Sequence, residues 1–342
     1  MAARALALAL ALALAAPSAT ALSMWEAAGA ELSKTLGRSV TLDRVGGGAA
    51  GGGGASVSTA LASDGTKYFV KHGRLDDFAM LSAEATGVRA MYDTGTIRVP
   101  EPFCAGTSDS NSFAVFECLD LGGGRSDALS AEMGRQLAAM HRAESPSGEF
   151  GFEIDNTIGA TPQPNGFMGT WAEFYVERRL KYMLKLTGGW SREAALCDRV
   201  RRHVLPLPLL PLLHPPRYCV PTIITHLASQ VREMLEAHAP PPSLVHGDLW
   251  GGNAGATAAG EPVIFDPATY YGDREVDLAM TTLFGKQPSA FYAAYDEAYP
   301  RPAGWKQRET VYNLYHILNH DVLFGGGYLS SAHRMCEQIM AF

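Results

Sequence analysis

A two-lobed α+β chain, with a small β-rich N-terminal lobe carrying one key helix and a larger, mainly helical C-terminal lobe, is what this sequence predicts. Its 342 residues leave room for two lobes with a sizeable core between them. Strand-type runs gather before residue 119 around one long helical stretch, whereas helical periodicity dominates after it. A polar loop, Val245 to Asn253, is followed by a short apolar run that delivers Asp266. The expected division is a leader over 1–21, an N-lobe over 22–118 and a C-lobe over 119–342.

Residues 1–21 hold one charge, Arg4, then an Ala/Leu run and the small-x-small pattern Ala19-Thr20-Ala21. That layout predicts a targeting peptide whose apolar run is too short to span a bilayer. Ser23-Met24-Trp25-Glu26 is a capping box that should open a helix to about Leu36. Next come seven glycines in the nine residues Gly46 to Gly54. Gly46, Gly48 and Gly51 form a G-x-G-x-x-G, and the stretch reads equally as a flexible linker or a nucleotide-covering loop. Ser56 to Ala62 and Thr66 to Lys71 are strand-like runs joined at Asp64-Gly65, predicting a hairpin flap over nucleotide phosphates.

Lys71 alternates onto the same face as Phe69, so its stem packs on apolar surface while its ammonium reaches phosphate. A helix over about Asp76 to Tyr92 places Leu81, Glu84, Val88 and Met91 on one stripe. A carboxylate on a core-facing stripe needs a partner, and Lys71 supplies it. Ser112 to Cys118 predicts another strand. Glu117, Cys118 and Leu119 lead from it into Asp120-Leu121-Gly122-Gly123-Gly124, a joint where backbone groups could hold an adenine edge. Helices are expected over 127–142 and, capped by Thr170, to about Leu186; two more, near Ser289 to Tyr299 and Trp305 to Leu323, should finish the chain. His141 is expected to be packed or capping. The Pro/Leu-rich run 204–216 excludes a helix interior and has no functional account.

The organising motif is Val245-His246-Gly247-Asp248-Leu249-Trp250-Gly251-Gly252-Asn253 with Asp266 thirteen residues on. Phosphoryl transfer needs one carboxylate to take the proton of the attacking hydroxyl, and oxygen ligands for the magnesium that bridges nucleotide phosphates. Asp248 fits the first role and Asn253 with Asp266 the second. A small hairpin over Ala254 to Ala256 and Pro262 to Phe265 would carry Asp266 back to the loop. Together with Lys71 and Glu84, the set matches the kinase pattern and predicts a protein-kinase-like bilobal fold that uses ATP and Mg2+. The ring of His246 is expected to hold the loop.

With 28 Lys and Arg against 35 Asp and Glu, the chain is acidic, a poor match for nucleic acid or anionic membrane. Cys104, Cys118, Cys197, Cys219 and Cys336 are odd in number and form no C-x-x-C, so neither a zinc site nor a disulfide framework is expected. A need for ATP and a leader together point to an organelle, with a plastid the first expectation and the secretory pathway the alternative.

The run Val245 to Asn253, with Asp266-Pro267-Ala268, Tyr271-Gly272 and Leu318-Asn319-His320, resembles the fructosamine 3-kinase (ketosamine 3-kinase) family, closest to its plant-type members. Ala90-Met91-Tyr92 to Pro100 and Phe150 to Gly159 extend the likeness over about residues 25 to 340. Trp250 discriminates: choline kinases and aminoglycoside phosphotransferases share the His, Asp and Asn but usually lack His-Gly-Asp-Leu-Trp-x-Gly-Asn. The resemblance implies ATP-dependent phosphorylation of the 3-hydroxyl of ribulosamine or fructosamine, on proteins or as free ketosamines, leading to protein deglycation. It implies Asp248 as base, Asn253 and Asp266 as metal ligands, Lys71 and Glu84 as the phosphate-positioning pair, Glu117 to Leu119 as the adenine hinge, and Trp250 against the sugar. Members often carry a Cys in the glycine loop; none stands between Gly46 and Lys71, so a redox dimer through that loop is not expected. A small-molecule kinase of choline-like or aminoglycoside-like alcohols, or a non-catalytic pseudokinase, are the alternatives.

Overall fold

The structure, a computed structural model, describes residues 22–50, 54–124, 126–187 and 219–342. The expected leader, Gly51 and the Pro/Leu-rich run lie outside the described residues. Helix α1 (Met24–Leu36) opens with the expected capping box: Ser23 Oγ accepts from Glu26 N–H, and Glu26 accepts from Ser23 N–H.

Strands β1 (Leu42–Ala50), β2 (Ser56–Ala62), β3 (Lys67–Arg74), β4 (Pro102–Thr107) and β5 (Asn111–Glu117) form one antiparallel sheet in the order β1-β2-β3-β5-β4. β1 and β4 were not expected, and β1 takes in the first five residues of the glycine run, three of them glycines. Val57 opposes Lys71, and Lys71 opposes Ala114. Strand alternation then sorts the two faces. Val70, Phe113 and Val115 pack under α1 with Ala28 and Leu32, whereas Ala114 and Phe116 join Leu81, Val88 and Met91 of α2 (Phe78–Tyr92) on the opposite face. That second cluster continues into Met133 and Leu137 of α3 (Asp127–Met140) and on to Leu244, Leu249 and Ile264. The sheet is therefore fastened through α2 to the segments that carry the polar loop.

The rest is mainly helical. A short hairpin, β6 (Asn156–Ile158) and β7 (Thr161–Gln163), precedes α4 (Trp171–Phe174), which passes through a π-helical stretch (Tyr175–Leu180) into α5 (Lys181–Leu186). α6 (Cys219–His238) leads to β8 (Ser243–Val245); β9 (Ala254–Ala256) pairs with β10 (Pro262–Ile264), and β11 (Tyr270–Gly272) returns to pair with β8. Helices α7 (Glu275–Leu283), α8 (Ser289–Ala298), α9 (Trp305–Phe324) and α10 (Tyr328–Met340) follow. α10 lies beyond the predicted end of the helical region, and its buried Ala332, Cys336 and Ile339 join the core around Trp171, Tyr175 and Tyr312. The two-lobed kinase-like α+β arrangement expected from the sequence is the one observed. Among the described residues no helix is long and apolar enough to cross a membrane.

Candidate active site

The two β8–β11 strands hold a loop between them, and every residue of the His-Gly-Asp motif has a physical reason to be there. Gly247 sits at φ 80°, where a Cβ would run into the Ala268 carbonyl, so only glycine lets the loop pass this close to the strand leading to β11. The His246 ring is buried; its Nε2 donates to Phe265 O at 2.9 Å and its Nδ1 accepts from Asp248 N–H at 3.2 Å. Burial holds its pKa below the ordinary value, consistent with a neutral ring that clips the loop to the approach to Asp266. This is the structural role expected of His246.

Beneath the loop lies Asp277, on α7, fully buried. Its Oδ2 accepts from His246 N–H at 2.7 Å and from His141 Nε2 at 3.0 Å, and its Oδ1 accepts from Gly247 N–H at 2.8 Å. Burial pushes its pKa up, but the His141 hydrogen bond and charge, with the His246 contacts, outweigh it and hold the carboxyl below its ordinary value. His141, at the end of α3, is itself fixed by Tyr295 Oη at 2.8 Å. One carboxylate thus anchors two consecutive backbone amides of the loop.

At the mouth of the loop, Asn253 Nδ2 donates to Asp248 O at 2.9 Å, Asp248 Oδ2 at 3.3 Å and Asp266 O at 3.2 Å, so the amide ties both acids together. Asp266 adopts φ 57°, a left-handed conformation uncommon for a residue with a Cβ. Such strain persists only where the surroundings over-determine it. Lys71 Nζ supplies one restraint: it reaches Asp266 Oδ1 and Glu84 Oε1, both at 2.6 Å. Burial disfavours the Lys71 ammonium, but the two carboxylates prevail and its pKa lies above the ordinary lysine value. Polar side chains on the β6–β7 hairpin supply another. Asn156 Nδ2 donates to Thr269 O at 2.9 Å and Gln163 Nε2 to Ala268 O at 3.1 Å, while Arg179, from the π-helical stretch, holds Asn165 Oδ1 at 2.7 Å and Asn165 in turn holds Asn156.

Lys71, Glu84, Asp248, Trp250, Asn253 and Asp266 line a single cleft of about 300 Å³. Burial, then the neighbouring Asp266 and Asp277 carboxylates, push Asp248 up to about 8, against the Asn253 hydrogen bond. Trp250 is 40% exposed, with its ring against Gly252. A second, more apolar cavity of about 260 Å³ adjoins the cleft, sharing Lys71, Glu84 and Asp266 with it and lined further by Phe69, Val88, Phe116, Glu117, Cys118 and Leu119. The Glu117 carboxylate is already taken: Arg98 pairs with it, and Glu101 N–H donates to it at 3.2 Å. Gly46 and Gly48 lie in β1, and among the described residues Gly46 lines neither space.

The fructosamine kinase family profile matches residues 24–342. The chain belongs to that family. A Synechocystis protein named "Probable ketoamine kinase" is 43% identical over 319 residues, spanning 92% of this chain and 97% of the relative. "Protein-ribulosamine 3-kinase, chloroplastic" of Arabidopsis thaliana is 41% identical over 289 residues, 84% of this chain and 79% of its own length. The crystal structure of a protein described as a fructosamine-3-kinase from Haemophilus somnus 129PT matches with a TM-score of 0.75 at 25% identity, covering 92% of this chain and 97% of that one.

Within this family frame, sequence reasoning placed Lys71, Glu84, Asp248, Trp250, Asn253 and Asp266, which share the cleft, and gave His246 its loop-holding role, but it missed the other residues that hold the site. Asp277 carried one legible signal, an acid between Val276 and Leu278 on the apolar stretch of a helix. Tyr295, Asn156, Gln163 and Arg179 carried none, because their partners lie on other elements at spacings that no helix or strand periodicity sets. Arg98 also went unnoticed. Its guanidinium pairs with Glu117 and stands 3.7 Å from Glu261, and its carbonyl accepts from Ile264 N–H at 3.0 Å, joining the end of β5 to the β9–β10 hairpin.

Proposed function

We propose that this chain is an ATP-dependent ketosamine 3-kinase, transferring the γ-phosphoryl group to the 3-hydroxyl of ribulosamine or fructosamine adducts, on proteins or as free ketosamines. The observation that carries the reading is the convergence of Asp248, Asn253, Asp266 and Lys71 on one cleft in a chain of this family. In the product, enolisation toward C1 expels the C3 phosphate as inorganic phosphate, and water then hydrolyses the resulting C1–N iminium to the free amine and a 3-deoxy dicarbonyl sugar, which is deglycation.

In this reading Asp248 accepts the proton of the attacking hydroxyl, and its raised pKa brings its basicity closer to the operating pH than an exposed aspartate would be. Lys71, steered by Glu84, pairs with nucleotide phosphate. The adenine enters the apolar cavity beside Cys118 and Leu119; Glu117 contributes main chain only, its carboxylate being held by Arg98. Asn253 and Asp266 present an amide and a carboxylate oxygen, hard donors of the kind magnesium takes, on a segment already pinned in place. Magnesium bound there would neutralise charge developing on the transferred phosphoryl group. Trp250 offers an exposed ring face to the sugar. The glycines of β1 would cover phosphates from above. The lobes meet at 118/119, and residues 1–21 act as a plastid leader, a reading supported by relatives named as chloroplastic.

The test is ATP consumption with magnesium by the chain lacking residues 1–21, on ribulosamine-lysine, fructosamine-lysine and choline. Turnover on a ketosamine, abolished in Asp248→Ala with ATP affinity retained, is expected. Turnover on choline alone, or full activity in Asp248→Ala, would overturn the assignment.

A further inference from the structure

A third space adjoins the cleft through residues other than those the cleft shares with the apolar cavity. It is a trough of about 390 Å³ between Gly123 and Gly124 of the interlobe joint, α3, the polar loop, β9 and the loop joining α7 to α8, and it shares Trp250 and Gly252 with the cleft. It has no lining residue in common with the apolar cavity, which meets the cleft instead through Lys71, Glu84 and Asp266. The cleft is therefore a junction with two different exits. If the nucleotide fills the apolar side, the acceptor leaves by the Trp250 side.

The chemistry of the acceptor requires such an exit. In a ketosamine the amine is carried on C1, two carbons from the reacting C3 hydroxyl. With that hydroxyl at Asp248, the amine substituent must leave the cleft at once; on a protein it is a lysine stem followed by main chain. The trough suits an extended chain: much of its wall is small or glycyl, including Gly251, Ala254, Gly255 and Gly285, so a main chain can approach it closely. Lys286 is the sole ionisable side chain among the described residues lining it, and Ser130 stands on the α3 wall.

We propose that this trough binds the polypeptide segment flanking the glycated lysine, favouring acidic over basic flanks through Lys286. The inference rests on the ketosamine kinase reading and deepens it. Ser130 and Lys286 lie outside the groups assigned to chemistry, so they can be altered separately from it.

The experiment compares free ribulosamine-lysine with the same ketosamine inside otherwise matched peptides of acidic or basic flank, using the wild type, Ser130→Trp and Lys286→Glu. Ser130→Trp should raise KM for both peptides at least about tenfold while kcat/KM for free ribulosamine-lysine stays within about twofold. Lys286→Glu, which fills no space, should reverse the preference between acidic and basic flanks. Equal effects on free and peptide substrates, or no flank reversal, would overturn the trough assignment. Wild-type turnover of the free ketosamine but of neither peptide would also overturn it, leaving the kinase reading intact; turnover of no ketosamine would overturn both.

Discussion

Replacing Asp277 by Asn tests whether the loop is held from beneath by a single carboxylate. Both oxygens are in use: Oδ2 accepts from His246 N–H and His141 Nε2, and Oδ1 from Gly247 N–H. Asn keeps one acceptor. In its better orientation it retains the His246 and His141 bonds and turns its NH2 toward Gly247 N–H, leaving a buried donor facing a donor. The loss is one hydrogen bond to a charged group, worth about 1.5–3 kcal/mol, together with part of the penalty for an unpaired amide, so about 3 kcal/mol in all. The loop can relieve some of this by shifting Gly247, which moves Asp248. We expect the unfolding free energy in urea to fall by about 3 kcal/mol and kcat to fall at least about tenfold, with ATP affinity within about threefold of wild type. Destabilisation under about 1 kcal/mol together with unchanged kcat would refute the claim that this acid positions the loop.

Three further outcomes follow from the geometry. Gly87 packs α2 against the chain after Asp266, and a Cβ there would stand 2.9 Å from Thr269 Cβ; Gly87→Val should displace α2 and lower kcat/KM for ATP at least about tenfold, whereas wild-type kinetics would show that the contact is slack. Glu84→Gln removes one of two carboxylates from the buried Lys71 and should raise KM for ATP, with a loss of about 1.5–3 kcal/mol in kcat/KM; an unchanged KM would mean that Asp266 alone steers the lysine. His316 is buried with an unpartnered Nδ1, and burial lowers its pKa to about 3. The unfolded chain binds its proton near pH 6.5 and the folded chain does not, so the stability His316 contributes is present above about pH 6.5 and is lost as pH falls toward 3. Denaturation of His316→Leu at pH 6 and 4.5 should show a shallower fall, by up to about 1.4 kcal/mol per pH unit; an identical slope would remove His316 as a titrating group.

What the chain order could convey was chemistry with short spacing. Asp248 and Asn253 are five residues apart on one loop. The pairing of Lys71 with Glu84 followed from strand alternation and a helical stripe, two local periodicities, and the capping box of α1 followed from four adjacent residues. Element types were harder where pairing overrides propensity. β1 contains Val-Gly-Gly-Gly-Ala-Ala and lacks the β-branched pattern of a strand; it is one because β2 offers a partner. β4 likewise completes the sheet only by pairing with β5.

The sequence by itself therefore determined which groups are proposed to do chemistry, because a base, two oxygen donors and a lysine with its acid recur at spacings set by loop, strand and helix geometry. Tertiary structure decided what holds them still. His141 reaches Asp277 across 136 positions and Lys71 reaches Asp266 across 195. The left-handed Asp266 is stable only inside those restraints, and the trough exists only where α3, the loop and the α7–α8 connection meet. Contacts of that range depend on how packed elements come to rest against one another, and no local pattern of residues encodes that.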